Sequence, residues 1–288
     1  MWRLLKAAAA RVAGRWLGDD SFPRVLVLCY HSVHPLKSFR SASPELFEQH
    51  LHWLSGHCKV IPFSKIFNAL SEKSDWPSVA ITFDDGYADN YEYAFPLLQK
   101  HGLVATFFVT VGLVEKDSAV VNRFQLQRES LYGDIRPMEW LQMREMAKAG
   151  MEFGAHTYSH PNLAVLNSRA ANAELHRSKE IMEQRLSQPI TLMAYPFGKP
   201  NRHFTLATQD LAAEVGYTDA AAVLWRAVTA KDSRLAIPRM LVARDDQRTL
   251  REKILGAWDI IGAWQEKAPM WLAKIVSPDD FRRVPETA

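Results

Sequence analysis

From residue 25 onward, short runs of consecutive apolar residues alternate with stretches of helical periodicity, and this alternation limits the possible folds more than anything else in the chain. The runs VLVLC, VAITF and ATFFV are apolar at successive positions, not at every second one. That is the pattern of parallel strands covered on both faces. Strands are expected at 25–29, 79–83, 105–109, 153–155, 192–194, 220–223 and 241–243, with helices at 44–55, 88–101, 138–149, 168–186 and 205–215. Gly102, Gly150 and Gly216 stand just past three of these helices, where a C-cap takes a left-handed residue. A repeated β–α order predicts an α/β fold of mostly parallel strands with helices outside, as a barrel or a doubly wound sheet.

The organisation expected is a catalytic domain at 25–245 between two helical extensions, 1–24 and a Trp-rich tail at 246–288. With 48% hydrophobic residues in 288, the chain has ample material for one large core. A net charge of +3, with no basic patch interleaved with aromatics, argues against a nucleic-acid partner. Two cysteines, Cys29 and Cys58, read as free thiols in a reducing compartment. Arg11 and Arg15 interrupt the first apolar run before it reaches the length of a secretory core, and no run is long enough to span a membrane. On a helical wheel Trp2, Leu5, Ala9, Val12 and Trp16 share a face that Arg3, Lys6, Arg11 and Arg15 avoid. Such a helix suits an anionic membrane surface, or docking on the protein's own body or a partner subunit. The localisation expected is therefore cytoplasmic or peripheral to the inner membrane face. The stretch 112–137 is polar and aperiodic and reads as a long loop, functional or disordered.

Two segments carry chemistry. Ile81-Thr82-Phe83-Asp84-Asp85-Gly86-Tyr87 places adjacent carboxylates at the end of an expected strand, where α/β barrels hold catalytic groups. Neighbouring side chains on a strand point to opposite sides, so both can face one site only if the chain turns there, which Gly86 permits. Gly154-Ala155-His156-Thr157-Tyr158-Ser159-His160-Pro161 follows another short strand, and its two imidazoles four residues apart can reach one ion. Two His and one Asp make a three-ligand site with open positions, and the other Asp is left to act as a base. That combination points to metal-assisted hydrolysis of an acyl bond. One divalent ion is expected, zinc first, with cobalt, nickel or iron also suited to this donor set.

TFDDG followed by HTYSHP resembles the first two motifs of the NodB-like polysaccharide deacetylase family (carbohydrate esterase family 4). The resemblance runs over about residues 25–245 and takes in MEWLQMREMAKAGMEFGAHTYSHPNL and the later Tyr195-Pro196-Phe197-Gly198. It implies an irregular (β/α) barrel. It further implies Asp84 as general base, Asp85, His156 and His160 as metal ligands, and Thr157 as the residue steadying the histidine loop. Tyr195 to Gly198 would bind substrate and oxyanion, with the Phe197 amide as donor.

Two departures stand out. The family's third motif opens on an Arg that holds the base; here Ala194 stands in its place, and Arg239 or Arg244 are the candidate replacements. The family's C-terminal catalytic His is also missing. Instead Leu28-Cys29-Tyr30-His31-Ser32-Val33 resembles the N-terminal motif of the branch that includes poly-N-acetylglucosamine deacetylases, which implies His31 as general acid. The substrate so implied is an N-acetylhexosamine unit of an exopolysaccharide or its lipid-linked precursor. A deformylase or small-molecule amidase on the same metal site, and a non-catalytic saccharide-binding relative, are the alternatives. Other histidines lack partners at ligand spacing and read as structural. Oligomeric state is not legible.

Overall fold

The computed structural model describes residues 24–36, 41–128, 136–259 and 262. The segment 1–23, the residues 37–40, 129–135 and 260–261, and the C-terminal tail beyond 262 lie outside the described residues. The amphipathic N-terminal helix and the outer part of the Trp-rich tail therefore stay expectations.

The core is a curled parallel sheet. Its members are β1 (Val25–Tyr30), β5 (Ser78–Phe83), β6 (Thr106–Val109), β7 (Glu152–Ala155), β8 (Leu192–Ala194), β9 (Asp219–Ala221) and β10 (Met240–Leu241), while β2 (Ser32–Val33) and β3 (Ser41–Ala42) form a separate parallel pair. The sheet's strands are ordered β10-β1-β5-β6-β7-β8-β9, with the short β4 (Lys59–Val60) also on β5. Every pairing among them is parallel. β9 also bridges Ile237, just ahead of β10, so the segment 237–241 carries the curl from the β9 edge back to β1. β1 and β5 are buried at all positions, as the unbroken apolar runs require. The irregular barrel expected from the sequence is thus the fold found, with strand ends shifted by one or two residues.

The helices are α1 (Pro44–His57), α2 (Ile66–Ser71), α3 (Phe95–Lys100), α4 (Val111–Val114), α5 (Ser118–Arg128), α6 (Trp140–Lys148), α7 (Ser168–Leu186), α8 (Leu206–Val215) and α9 (Gln247–Ile254). Ser43 caps α1 and Asn167 caps α7 by accepting backbone N–H groups, which fixes where each starts. Two features were not foreseen. Residues 90–94 form a π-turn ahead of α3, with the Phe95 N–H donating to the Asn90 carbonyl. Pro96 has no N–H to continue the α ladder to residue 92, which favours this wider register. The stretch 112–137, expected as a loop, is largely helical over its described residues, in α4 and α5. Only Val120 and Phe124, four residues apart, give α5 an inward apolar pair among its described side chains, too little for a periodic signal.

Candidate metal and active site

The register of the sheet builds the site at the C-terminal ends of its strands. Tyr30 is level with Phe83 across β1 and β5, so the next residues, His31 and Asp84, emerge side by side. The Asp84 N–H donates to the Tyr30 carbonyl at 3.0 Å and continues that pairing. On the far side of β6, the His156 N–H donates to the Val109 carbonyl at 2.8 Å and starts the histidine loop level with Thr110. β8 ends beside it, and His156 Nδ1 lies 2.8 Å from the Ala194 carbonyl oxygen. A carbonyl only accepts, so Nδ1 carries a proton toward Ala194 and Nε2 is the ring atom turned to the site.

The chain turns where two adjacent carboxylates need it to. Asp85 itself adopts φ +76° and Gly86 follows at +85°. A side chain at Gly86 would meet Val109 Cγ1 at 3.0 Å. With this turn Asp85 Oδ1 comes within 3.5 Å of His160 Nε2 and 3.9 Å of His156 Nε2. All three residues are buried, and their donor atoms lie within 4.8 Å of one another. Ligands about 2.0–2.2 Å from a tetrahedral ion stand a little over 3 Å apart, so one carboxylate and two imidazoles at these separations fit a divalent cation after small adjustments.

The histidine loop is held under strain. Thr157 at φ +63° and His160 at +56° both occupy the left-handed region, which a β-branched residue rarely visits. Thr157 Oγ1 accepts the His160 N–H at 3.0 Å. Glu174 on α7 accepts the N–H groups of Tyr158 and Ser159 at 3.0 and 2.8 Å and the Ser159 hydroxyl at 2.6 Å. Glu174 escaped the sequence reading, because a carboxylate fourteen residues downstream on a helix gives no local signal. Phe124 of α5 and Phe197 stand edge-on to the His160 ring at 5.3 and 4.8 Å between centroids, so the segment 112–137 supplies one wall of the site.

Asp84 is 3% exposed and its Oδ2 lies 3.9 Å from His156 Nε2. Of the two candidate arginines, Arg239 reaches it. Its Nη1 and Nη2 donate to the two Asp84 oxygens at 2.7 and 2.9 Å, a bidentate pair, and its Nε donates to the Ala222 carbonyl. Arg239 is fully buried, whereas Arg244 is exposed. Burial pushes the Asp84 carboxyl up, but Arg239, with His156 and His31, outweighs it and holds the group at about 2. Asp84 is therefore ionised at any ordinary pH.

His31 is half-buried, with its carbonyl accepting from Asn90 Nδ2 at 3.0 Å. Asn90 also donates to Asp89 at 2.8 Å, and Ser32 Oγ donates to the other Asp89 oxygen. This Asp89–Asn90 clamp, just past DDG, ties the His31 segment to the Asp84 segment. Tyr195 lies with its ring fully buried against Phe204, 3.8 Å between centroids, while Phe197 reaches the His160 ring. Phe197 and Gly198, at φ +61° and +70°, form a turn whose tightness excludes a side chain at 198: a Cβ there would meet Val223 Cγ2 at 2.5 Å.

A half-barrel that gathers a carboxylate–imidazole–imidazole group and a guarded second carboxylate at its strand ends defines a metal-assisted hydrolase. The family profile described as polysaccharide deacetylase matches residues 71–219. The chain belongs to the polysaccharide deacetylase family. It is 30% identical over 206 residues to YxkH of Bacillus subtilis (strain 168), a protein named for polysaccharide deacetylation, covering 70% of this chain and 67% of that one. It is 25% identical over 250 residues to the poly-β-1,6-N-acetyl-D-glucosamine N-deacetylase of Staphylococcus aureus (strain MRSA252), covering 83% and 79%. Among solved structures, the Streptococcus pyogenes deacetylase PplD in complex with acetate superposes with a TM-score of 0.67 at 26% identity, over 81% of this chain and 99% of that one. IcaB from Ammonifex degensii shares the fold with a TM-score of 0.63 at 23% identity, over 81% and 97%.

Proposed function

We propose that the protein removes acetyl groups from N-acetylhexosamine units of a polysaccharide or a lipid-linked saccharide precursor, with Asp84 as general base and His31 as general acid. One observation carries the reading: Asp85, His156 and His160 meet at a point while a second, ionised carboxylate, Asp84, stands beside them. The S. aureus relative, named for deacetylating poly-β-1,6-N-acetyl-D-glucosamine, supports the substrate class. A divalent ion held by Asp85, His156 and His160, zinc in the first instance, supplies Lewis acidity toward an acyl oxygen and toward water.

The chain's own groups do the rest. Asp84, fixed by Arg239, accepts a proton from the attacking water. The backbone N–H of Phe197, in its left-handed turn beside His160, suits an oxyanion donor. His31, emerging level with Asp84, donates a proton to the amine nitrogen as the C–N bond breaks, so that acetate and a free amino sugar depart. One group must be ionised and the other protonated, so activity follows a bell-shaped pH profile. The basic amphipathic segment 1–24 supports work at a membrane surface on a lipid-linked saccharide.

The test is acetate release from N-acetylglucosamine oligomers and from an undecaprenyl-linked acetylated saccharide, with formylated and small amide substrates alongside. Release should vanish with chelator and return with zinc or cobalt. Metal-loaded protein that binds these saccharides and frees no acetate from any of them overturns the reading.

A further inference from the structure

Cys29 has no part in the reaction just described, yet it lies at its centre. Its Sγ is 3.4 Å from Asp84 Oδ2, and it is fully buried. Cys29 and His31, two residues apart at the end of β1, project to the same side, as strand periodicity requires. Asp84 arrives level with them from β5. Cys29, His31 and Asp84 thereby offer a sulfur, an imidazole and a carboxylate donor within 4.8 Å of one another. Sulfur and oxygen ligands at about 2.3 and 2.0 Å from a tetrahedral zinc stand about 3.5 Å apart, which matches the Cys29–Asp84 separation.

We propose that Cys29, His31 and Asp84 form a second, inhibitory site for a thiophilic divalent cation such as zinc, distinct from the Asp85–His156–His160 group. The proposal rests on the roles given above to Asp84 and His31. A cation there takes the base and the acid together. Thiolate, imidazole and carboxylate form a donor set suited to zinc, cobalt or cadmium and poor for magnesium or calcium. Binding replaces the thiol proton with a sulfur–metal bond and releases that proton to solvent. The buried Arg239 guanidinium on Asp84 opposes a further dication, so this site fills only after the first.

Cobalt titration of the metal-free protein tests the site by spectrum and by rate. The first equivalent should support acetate release without a thiolate-to-cobalt charge-transfer band. A further equivalent should bring that near-ultraviolet band and cut the rate by roughly tenfold or more, because base and acid are both withdrawn. Cys29→Ser keeps a hydroxyl donor for Asp84 but is a poor ligand for a soft metal. It should bind the first equivalent, show no band, and lose less than about half of its own one-equivalent rate in excess cobalt or zinc. Excess magnesium should inhibit neither protein. A band with the first equivalent, no band at all in the wild type, or equal inhibition of Cys29→Ser overturns the proposal. If no substrate releases acetate at one equivalent, the deacetylase reading fails, while the band at the further equivalent still decides whether the second site exists.

Discussion

The pair Arg239–Asp84 gives the most demanding prediction, because one substitution reverses the sign of a pH effect. Both partners are buried, with exposures of 0% and 3%, and the guanidinium occupies both carboxylate oxygens. The fall of the Asp84 carboxyl from its ordinary 3.8 to about 2 corresponds to roughly 2–3 kcal/mol in favour of the ionised form. Arg239→Met keeps a long apolar stem and removes the counter-charge, leaving a buried carboxylate uncompensated. Breaking such a pair costs about 3–5 kcal/mol. At about 2–4 °C per kcal/mol for a chain of this size, the melting temperature should fall by about 6–20 °C. In the wild type the depressed carboxyl contributes stability that is present above the unfolded value of about 3.9 and lost as pH falls through about 2. In Arg239→Met burial is no longer outweighed, so the folded value lies above the unfolded one. Its contribution is then present at low pH and lost as pH rises. Thermal melts of chelator-treated protein between neutral and mildly acidic pH should therefore show the variant regaining more stability on acidification than the wild type does. Asp84→Asn/Arg239→Met, with neither charge buried, should melt above Arg239→Met alone. A loss below about 1 kcal/mol, or identical pH slopes in wild type and variant, refutes the argument that Arg239 sets the charge of Asp84.

Three further outcomes follow from the site. Asp84→Asn should abolish acetate release, with metal binding retained by calorimetric titration, whereas His156→Ala should lose both. Glu174→Ala withdraws the acceptor that holds the Tyr158–Ser159 turn and should weaken zinc affinity by about 10–100-fold in a chelator competition, with the fold intact by circular dichroism. Asp89, which burial pushes up to about 7 against the donors Ser32 and Asn90, contributes stability that is present below about 4 and lost as pH rises through about 7. Asp89→Asn should flatten that decline in denaturant-unfolding midpoints across this range, and an unchanged slope would remove Asp89 as its source.

The parts of this fold that could be read from the sequence are those where a single local pattern decides the outcome. VLVLC and VAITF announce buried parallel strands, because an unbroken apolar run this short and rich in β-branched residues suits a strand covered on both faces better than a buried helix. Asp84, Asp85, His156 and His160 were legible because each pair is contiguous or nearly so and follows such a strand. α5 was not, since its inward face comes down to Val120 and Phe124 among described side chains, and its links to the site are one aromatic edge on His160 and Arg123 donating to the Ser159 carbonyl and hydroxyl. The Asp89–Asn90 clamp and Glu174 were invisible for a different reason: their partners lie on other elements, and a carboxylate on a helix looks the same whether it faces water or a buried N–H.

Arg239 shows where that boundary runs. The residue at 194, on β8, carries no charge, so the guanidinium that steadies Asp84 has to come from elsewhere along the curl of the sheet. Arg239 and Arg244 both flank the last strand, and nothing in their immediate neighbours separates them. The register does: Met240 pairs with Leu28, two residues before Tyr30, so the residue ahead of Met240 enters the barrel interior below His31 and Asp84. Arg244, beyond the strand's end, comes out into solvent. Strand pairing across the sheet, a long-range property, decides which of two similar arginines becomes the partner of Asp84. If that pairing is what selects it, a lysine at 239 should hold Asp84 less well than arginine, because one ammonium cannot serve both carboxylate oxygens while also donating to the Ala222 carbonyl. Arg239→Lys should accordingly fall between wild type and Arg239→Met in both melting temperature and acid slope. An Arg239→Lys protein no better than Arg239→Met would mean that the bidentate fork, rather than the positive charge, is what the site requires.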